Sequence, residues 1–112
     1  MQKILYFFII TAVLFASTSL AQTIFVVDYE SQADITVFEV DYESQCDLKV
    51  YKVDYESQAS EDGKWYFVDY ESQADKTIYF VDYESQADLK VYFVDYESQA
   101  GWNNSSKTHL MK

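Results

Sequence analysis

The sequence has 112 residues, of which 19 are Asp or Glu, eight are Lys or Arg and one is His, so that the net charge is −11 at pH 7. Nucleic acids and anionic lipid headgroups are bound through basic patches, so this charge balance argues against both as partners. Cys46 is the only cysteine, which excludes an intramolecular disulfide.

The first 21 residues have the pattern of a secretory signal peptide. A short N-terminal segment that carries the positive charge of Lys3 is followed by an apolar run over residues 4–15. Small residues then end at Ala21. An uncleaved membrane anchor is the alternative, but a membrane span needs about 20 apolar residues and this run is shorter. We therefore predict cleavage after Ala21, no stable membrane span after cleavage, and export to the periplasm or the medium.

The mature chain is built from internal repeats. The motif Val-Asp-Tyr-Glu-Ser-Gln occurs six times, starting at Val27, Val40, Val53, Val68, Val81 and Val94. The copies lie 13, 13, 15, 13 and 13 residues apart, and the longer interval contains the polar residues 60–64, where we expect a lengthened surface loop. Such self-similarity predicts one repeat domain over residues 22–102 and a polar tail over residues 103–112.

Each repeat carries a six-residue strand signal, because β-branched and aromatic residues alternate with other residues up to the motif tyrosine. One face reads aromatic, Val, Tyr, as in Tyr79, Val81 and Tyr83, and we predict that this face forms the core. The opposite face has a variable position, which is occupied by Val26, Glu39, Lys52, Phe67, Phe80 and Phe93. We expect this position to be exposed in the second and third repeats and partly covered in the last three.

The links between strands are predicted to be bends rather than tight hairpins. They contain no proline and lack the Asn-Gly or Asp-Gly pairs that two-residue hairpins favour. Glu-Ser-Gln-Ala is compatible with one helix-like turn, and thirteen residues are too few for a βαβ crossover. A narrow β-solenoid is the rival architecture. The aromatic bulk in every repeat favours an all-β sheet that is packed or closed on itself.

The run Asp-Leu-Lys-Val-Tyr-Phe-Val-Asp-Tyr-Glu-Ser-Gln-Ala-Gly over residues 88–101, with its earlier copies, resembles the bacterial septoil-knot family. The resemblance covers about residues 24–102. It implies a small β-rich domain with strands wound about a common axis, in a chain tied into a deep seven-crossing torus knot. The resemblance implies no catalytic or binding residues for this chain. The chain departs from the pattern in the two extra residues within 60–64, in Cys46, which occupies an alanine position, and in residues 103–112.

The repeated carboxylates suggest one specific function. Asp and Glu two positions apart, such as Asp28 and Glu30, share a face of an extended strand, and aligned repeats would form ladders of oxygen ligands for a cation such as Ca²⁺. The other interpretation is that these residues cap bends, accept hydrogen bonds from backbone N–H groups and keep the surface soluble. Repetition favours this second interpretation, because a functional site usually breaks symmetry. We therefore predict no metal and no cofactor, and keep divalent-cation binding as the alternative function.

No enzyme is predicted. The motif serines lack the Gly-x-Ser-x-Gly context of a hydrolase nucleophile, and the only histidine, His109, lies in the tail. Catalysis by a pair of carboxylates needs one group tuned as the acid and the other as the base, whereas the six Asp/Glu pairs of this chain are equivalent. The chain is thus expected to be a rugged structural or binding module of unspecified function, with a possible protein partner in the cell envelope.

Cys46, the motif tyrosines and the tail are predicted to have structural roles or none. Cys46 is expected to fill a small space, as free cysteines often do. Core packing is expected for the motif tyrosines, with a sugar- or peptide-binding platform as the alternative. The tail after Trp102 is expected to be loose, so that its removal would leave the thermal stability nearly unchanged.

Overall fold

The computed structural model describes residues 22–112, and the predicted signal peptide, residues 1–21, lies outside the described residues. The strands are β1 (Thr23–Val26), β2 (Ile35–Glu39), β3 (Leu48–Lys52), β4 (Lys64–Phe67), β5 (Lys76–Phe80), β6 (Leu89–Phe93) and β7 (Gly101–Trp102). Short 3-10 turns cover Glu30–Gln32, Glu43–Gln45, Glu56–Gln58, Glu71–Gln73, Glu84–Gln86 and Glu97–Gln99, and a longer 3-10 helix covers Ser105–Met111. The all-β prediction is confirmed.

Six parallel strands close into a barrel. Their order is β4-β1-β5-β2-β6-β3, and pairing between β3 and β4 completes the ring. The short β7 pairs antiparallel with the start of β3. The expectation of a sheet packed or closed on itself rather than a narrow solenoid is therefore correct, and the sheet is closed.

The strands of the first three repeats alternate with those of the last three. Val26 at the end of β1 and Ile35 at the start of β2 both lie opposite Ile78 of β5. Glu39 at the end of β2 and Leu48 at the start of β3 both lie opposite Val91 of β6. Each new strand thus begins at the register where the previous one ended, and the chain winds about the barrel axis as expected.

The interior is filled by rings of side chains, one from each strand. The central ring consists of Ile24, Val37, Val50, Trp65, Ile78 and Val91, all with no exposed surface. The next ring towards the strand starts includes Ile35, Leu48 and Leu89, which are also buried. Narrow six-stranded barrels have room for one compact side chain per strand in each layer, so β-branched residues suit this interior.

The predicted core face is wrong. The motif tyrosines are 67–69% exposed, and the aromatic residues four positions before them, such as Tyr79, are only half-buried. The motif valines, such as Val81, are mostly buried as expected, but by strand alternation they face the outside of the barrel. They are covered because the 3-10 turns of the links pack on the strands from outside. The interior holds one large aromatic side chain, Trp65, whereas the motif tyrosines and the aromatic residues four positions before them lie on the outside.

The links are bends with one helix-like turn, as predicted. In each, the motif glutamine N–H donates to the tyrosine carbonyl three residues before it, as in Gln86 to Tyr83 at 3.0 Å. Side chains then tie the halves together: Thr77 N–H donates to Asp34 Oδ2, and Asp34 N–H donates to Thr77 Oγ1, both at 3.0 Å. These reciprocal bonds help to fix the register between the first and the second half of the chain.

The lengthened loop at residues 60–63 is confirmed, and it delivers β4 into the ring next to β3. Gly63 is buried there, and a Cβ on it would lie 2.7 Å from the carbonyl oxygen of Lys49 and 2.9 Å from the amide nitrogen of Gly101. Glycine is therefore required by close backbone approach. Asp62 anchors two indoles, because its carbonyl accepts from Trp65 Nε1 at 2.8 Å and its carboxylate from Trp102 Nε1 at 2.9 Å.

The C-terminal tail closes one end of the barrel, so the expectation that it is loose is wrong. Met111 belongs to the core and is 2% exposed. Gln22 Nε2 donates to the Met111 carbonyl at 3.4 Å, and Lys76 Nζ donates to the Lys112 carbonyl at 2.6 Å. We call this region, formed by Gln22, Lys76 and Leu110–Lys112, the closed end.

The reason for this docking is visible in the side chains at the closed end. The ring at the strand starts contains Gly63, which has no side chain, and the polar residues Gln22 and Lys76, so it leaves apolar surface uncovered. Met111 covers it. Within residues 22–112, no helix has the length and apolar character needed to cross a membrane.

Candidate binding site at the open end of the barrel

The variable positions of the six repeats meet at the end of the barrel opposite the closed end. They line one depression of about 320 Å³, and we call this region the mouth: Val26, Glu39, Lys52, Phe67, Phe80 and Phe93. Around the ring, each of these residues follows by two positions the residue that pairs with its neighbour in the ring. Val26, for example, pairs with Ile78, and Phe80 lies two residues after Ile78. They therefore form one ring above the central ring of the core.

Three phenylalanines alternate with three other residues around this ring. The strand order places the residues in the sequence Phe67, Val26, Phe80, Glu39, Phe93, Lys52 and back to Phe67. The phenylalanines are half-buried, Val26 is 39% exposed, and Glu39 and Lys52 are exposed. The predicted exposure in the second and third repeats and partial cover in the last three is confirmed.

The core fixes the aromatic part of the mouth from below. The Trp65 ring lies 6.0 Å from the Phe67 ring at an interplanar angle of 67° and 6.3 Å from the Phe93 ring at 82°. Both are edge-to-face contacts, the arrangement that aromatic quadrupoles favour. Because Trp65 has no exposed surface, these two phenylalanines rest on an ordered floor.

The two charges of the mouth have different surroundings. Lys52 Nζ lies 4.6 Å from the centroid of the Phe93 ring and 5.4 Å from that of Phe67, so its ammonium is held between two aromatic faces. Glu39 occupies the corresponding position between Phe80 and Phe93. Among residues 22–112, neither side chain forms an ion pair with another residue.

Acidic residues follow the mouth in every repeat. Two positions after each mouth residue comes an exposed aspartate: Asp28, Asp41, Asp54, Asp69, Asp82 and Asp95. An exposed tyrosine and an exposed glutamate complete each segment. The apolar mouth is thus surrounded by chain segments of strongly negative charge.

The carboxylate ladders of the cation alternative are not formed. Within residues 22–112, no group of three or more Asp, Glu, His or Cys side chains is placed so that it could hold a metal ion. The motif carboxylates lie on separate links outside the barrel, so that strand pairing does not align them. Three aspartates at strand starts, Asp34, Asp47 and Asp88, have structural contacts instead; Asp47 Oδ2, for example, accepts from Lys90 N–H at 2.9 Å.

Cys46 fills a small space, as predicted. It is 5% exposed, and its Sγ accepts a hydrogen bond from Asn103 Nδ2 at 3.2 Å. Burial raises the pKa of the Cys46 thiol, and the nearby Glu43 raises it further. The thiol is therefore held in its unreactive neutral form.

The mouth was not found from the sequence. The variable position was recognised in every repeat, but its six residues come together only because the sheet closes in an order that no local pattern reveals. The usable signal is the change from an aromatic residue before this position and an invariant Val after it to Val, Glu, Lys and Phe at the position itself.

Comparison with known proteins supports the resemblance noted in the sequence. Residues 21–103 match the family described as the 7(1) septoil knot domain. No curated protein sequence and no solved structure matched the chain.

Proposed function

The chain belongs to the 7(1) septoil knot domain family, and we propose that this member is an exported, non-enzymatic module that binds a small ligand at the mouth. The family description names a knotted fold and no activity, so the proposal rests on the geometry of this chain. The observation that carries it is the convergence of all six variable positions on one depression.

The mouth is one of the positions at which the repeats differ in chemical character, and it is left uncovered, unlike the strand starts. The motif Val-Asp-Tyr-Glu-Ser-Gln is unchanged in all copies, and the rings below the mouth are filled largely with Ile, Val and Leu. A structural role alone would allow the same residue at every mouth position. The mouth instead combines three phenylalanines with one carboxylate and one ammonium, as ligand sites combine apolar walls with a few polar groups.

The scaffold is suited to binding without rearrangement. The mouth residues project from strands of a closed barrel, and the floor is the buried Trp65. Groups held on rigid elements lose little freedom when a ligand binds, which favours affinity. Such a depression accepts a free small molecule or a side chain of a protein in the cell envelope. The signal-like residues 1–21 support export.

Nuclear magnetic resonance with small apolar probes tests the binding site. Cyclohexanol and benzyl alcohol titrated into the ¹⁵N-labelled protein should produce saturable shifts centred on Val26, Phe80 and Phe93. Phe80→Ala should weaken them, whereas Tyr83→Ala, on the outer surface of the same repeat, should not. Shifts centred on the outer tyrosines, or none at all, would remove the mouth as the site.

Cell fractionation followed by N-terminal sequencing tests export. We expect the protein outside the cytoplasm with Gln22 as its first residue. Recovery in the cytoplasm with Met1 in place would contradict this part of the proposal.

A further inference from the structure

We infer that the ligand of the mouth is an organic ammonium ion with an apolar body, bound with its cationic group at Glu39 between Phe80 and Phe93. The inference rests on the proposed function, since it assigns a chemical class to the ligand of the same site. Three features of the described residues carry it: an internal cation, an unpaired carboxylate and the charge of the surroundings.

Lys52 shows how the mouth holds an ammonium group. Its Nζ sits over the rings of Phe93 and Phe67 at 4.6 and 5.4 Å from their centroids. Aromatic faces attract cations within about 6 Å through their quadrupoles. The mouth therefore already uses a pair of phenylalanine faces to hold one cation, which the protein itself supplies.

Glu39 occupies a position related to that of Lys52, but there the protein itself supplies no cation. It stands between Phe80 and Phe93, as Lys52 stands between Phe93 and Phe67. An ammonium ion from outside would meet the Phe80 and Phe93 side chains and, in addition, a carboxylate that has no ion pair within residues 22–112. Charge-assisted hydrogen bonds to a carboxylate are stronger than neutral ones.

The surroundings select for positive charge. The protein has a net charge of −11, and an exposed aspartate follows every mouth residue by two positions. A depression with apolar walls and acidic surroundings raises the local concentration of cations and repels anions. The apolar body of the ligand would lie against Val26 and Phe67. The volume of about 320 Å³ suits a small molecule.

A second copy of the chain is the competing occupant. A two-fold axis passing through the positions of Phe93 and Val26 would place Lys52 of each copy on Glu39 of the other, because the ring order is symmetric about that line. Two acidic surfaces would then face each other, which opposes association. We favour the small ammonium ion, and the oligomeric state separates the two.

Three probes of equal length test the inference: n-hexylammonium chloride, n-hexanol and sodium n-hexanoate, at constant ionic strength. Binding is followed by amide shifts of the wild-type protein and by the fluorescence of Trp65 in a Trp102→Phe background. We expect hexylammonium to bind at least about threefold more tightly than hexanol, in line with exposed cation–π and ion-pair contacts, and hexanoate to bind most weakly. Raising the salt concentration should reduce the difference.

Matched variants locate the effect. Glu39→Gln should strongly reduce the preference for hexylammonium over hexanol. Lys52→Gln should strengthen hexylammonium binding about twofold or more, because a like charge is removed. Glu30→Gln, an equal change of charge on an exposed link, should alter the preference far less than Glu39→Gln.

The outcomes are distinguishable. If none of the three probes binds, the proposed function itself fails. If hexanol binds as tightly as hexylammonium, or if Glu30→Gln acts as strongly as Glu39→Gln, the mouth remains a site but the ammonium inference is wrong. A concentration-dependent dimer in analytical ultracentrifugation that Lys52→Gln abolishes would identify a second copy as the occupant and overturn the inference.

Discussion

The two ends of the barrel are built from the same repeat, but one end is covered and the other is accessible. At the closed end the ring at the strand starts is covered by the C-terminal helix, with Met111 inserted into the core. At the mouth the ring of variable positions is left with half-buried phenylalanines and two charges that face outwards. The closed end thus completes the core, while the mouth leaves part of it accessible.

The difference shows that a repeat fixes the wall of a barrel but not its ends. Every repeat supplies one residue to each ring, so both ends begin with equivalent backbone. Both ends vary in sequence, but the chain outside the repeats covers one end and leaves the variable side chains of the other end accessible. We therefore expect substitutions at the closed end to affect stability and substitutions at the mouth to affect binding.

The largest loss of stability is expected from a substitution in the barrel wall, because both ends of the barrel depend on it. Val81 is 8% exposed beneath the links, and Val81→Asp would bury an unpaired charge there. Such a charge costs about 3–5 kcal/mol, so we expect the domain to unfold or to lose most of its stability in urea denaturation. The exposed change Glu84→Gln serves as the control. Comparable losses from both would contradict the burial of the motif valines.

Opening the closed end should produce the next largest effect. Truncation after Trp102, or Met111→Ala alone, removes a core side chain, and such losses cost about 2–5 kcal/mol. The midpoint of thermal unfolding should fall clearly, in contrast to what the sequence suggested. His109→Ala changes an exposed residue of the same helix and should leave the midpoint nearly unchanged. A truncated protein as stable as the intact one would show that the helix is not part of the core.

A mouth substitution should separate binding from stability. Phe93→Ala removes a half-buried ring that contacts Trp65 and Lys52, and we expect a loss of about 1–2 kcal/mol, below that of a fully buried phenylalanine. Binding of hexylammonium should be lost nearly completely. Tyr96→Ala, in the same repeat but on the outside, should preserve both. Unchanged binding in Phe93→Ala would place the ligand elsewhere.

The smallest effect concerns the ion pair of Lys64 at the start of β4, towards the closed end. The hydrogen bond to Glu97, at 2.9 Å, and the nearby Glu61 raise the pKa of Lys64 above its usual 10.5. A raised lysine pKa in the folded state contributes stability that is present below pH 10.5 and is lost as the pH rises through the folded value. Urea denaturation of the wild type should therefore show a small alkaline loss that Glu97→Gln reduces. An identical pH profile in both proteins would exclude this linkage.

The sequence predicts the strands, the bends, the long loop and the exposure of the variable position, because these follow from local alternation and spacing. It does not predict which face is inside. Alternation is symmetric, and Tyr83 is as good a core candidate as Ile78 until the narrow interior of a six-stranded barrel is known. Closure itself depends on pairing between residues as distant as Ile24 and Lys76.

The tail and the mouth were missed for the same reason. Met111 is one apolar residue in a polar segment, and its role depends on an uncovered ring that only the closed barrel creates. The aspartates at the strand starts also have partners that the sequence does not show, because Asp34 and Asp88 accept from backbone N–H groups of the neighbouring strands. A local sequence pattern cannot show hydrogen-bond partners that lie 43 or 52 residues away along the chain.

The alternation of strands around the barrel has a consequence for how the protein forms. None of the strands β1, β2 and β3 pairs with another of the three; all their partners are β4, β5, β6 and β7. The first half of the chain therefore has no sheet to form until the second half is available, and pairing between distant segments is slow. We expect no strand pairing before β4 (Lys64–Phe67) has been synthesised, and a closed ring only once β6 is also available. In the finished barrel the strands of the two halves alternate, so neither half contains a sheet of its own that could separate from the other.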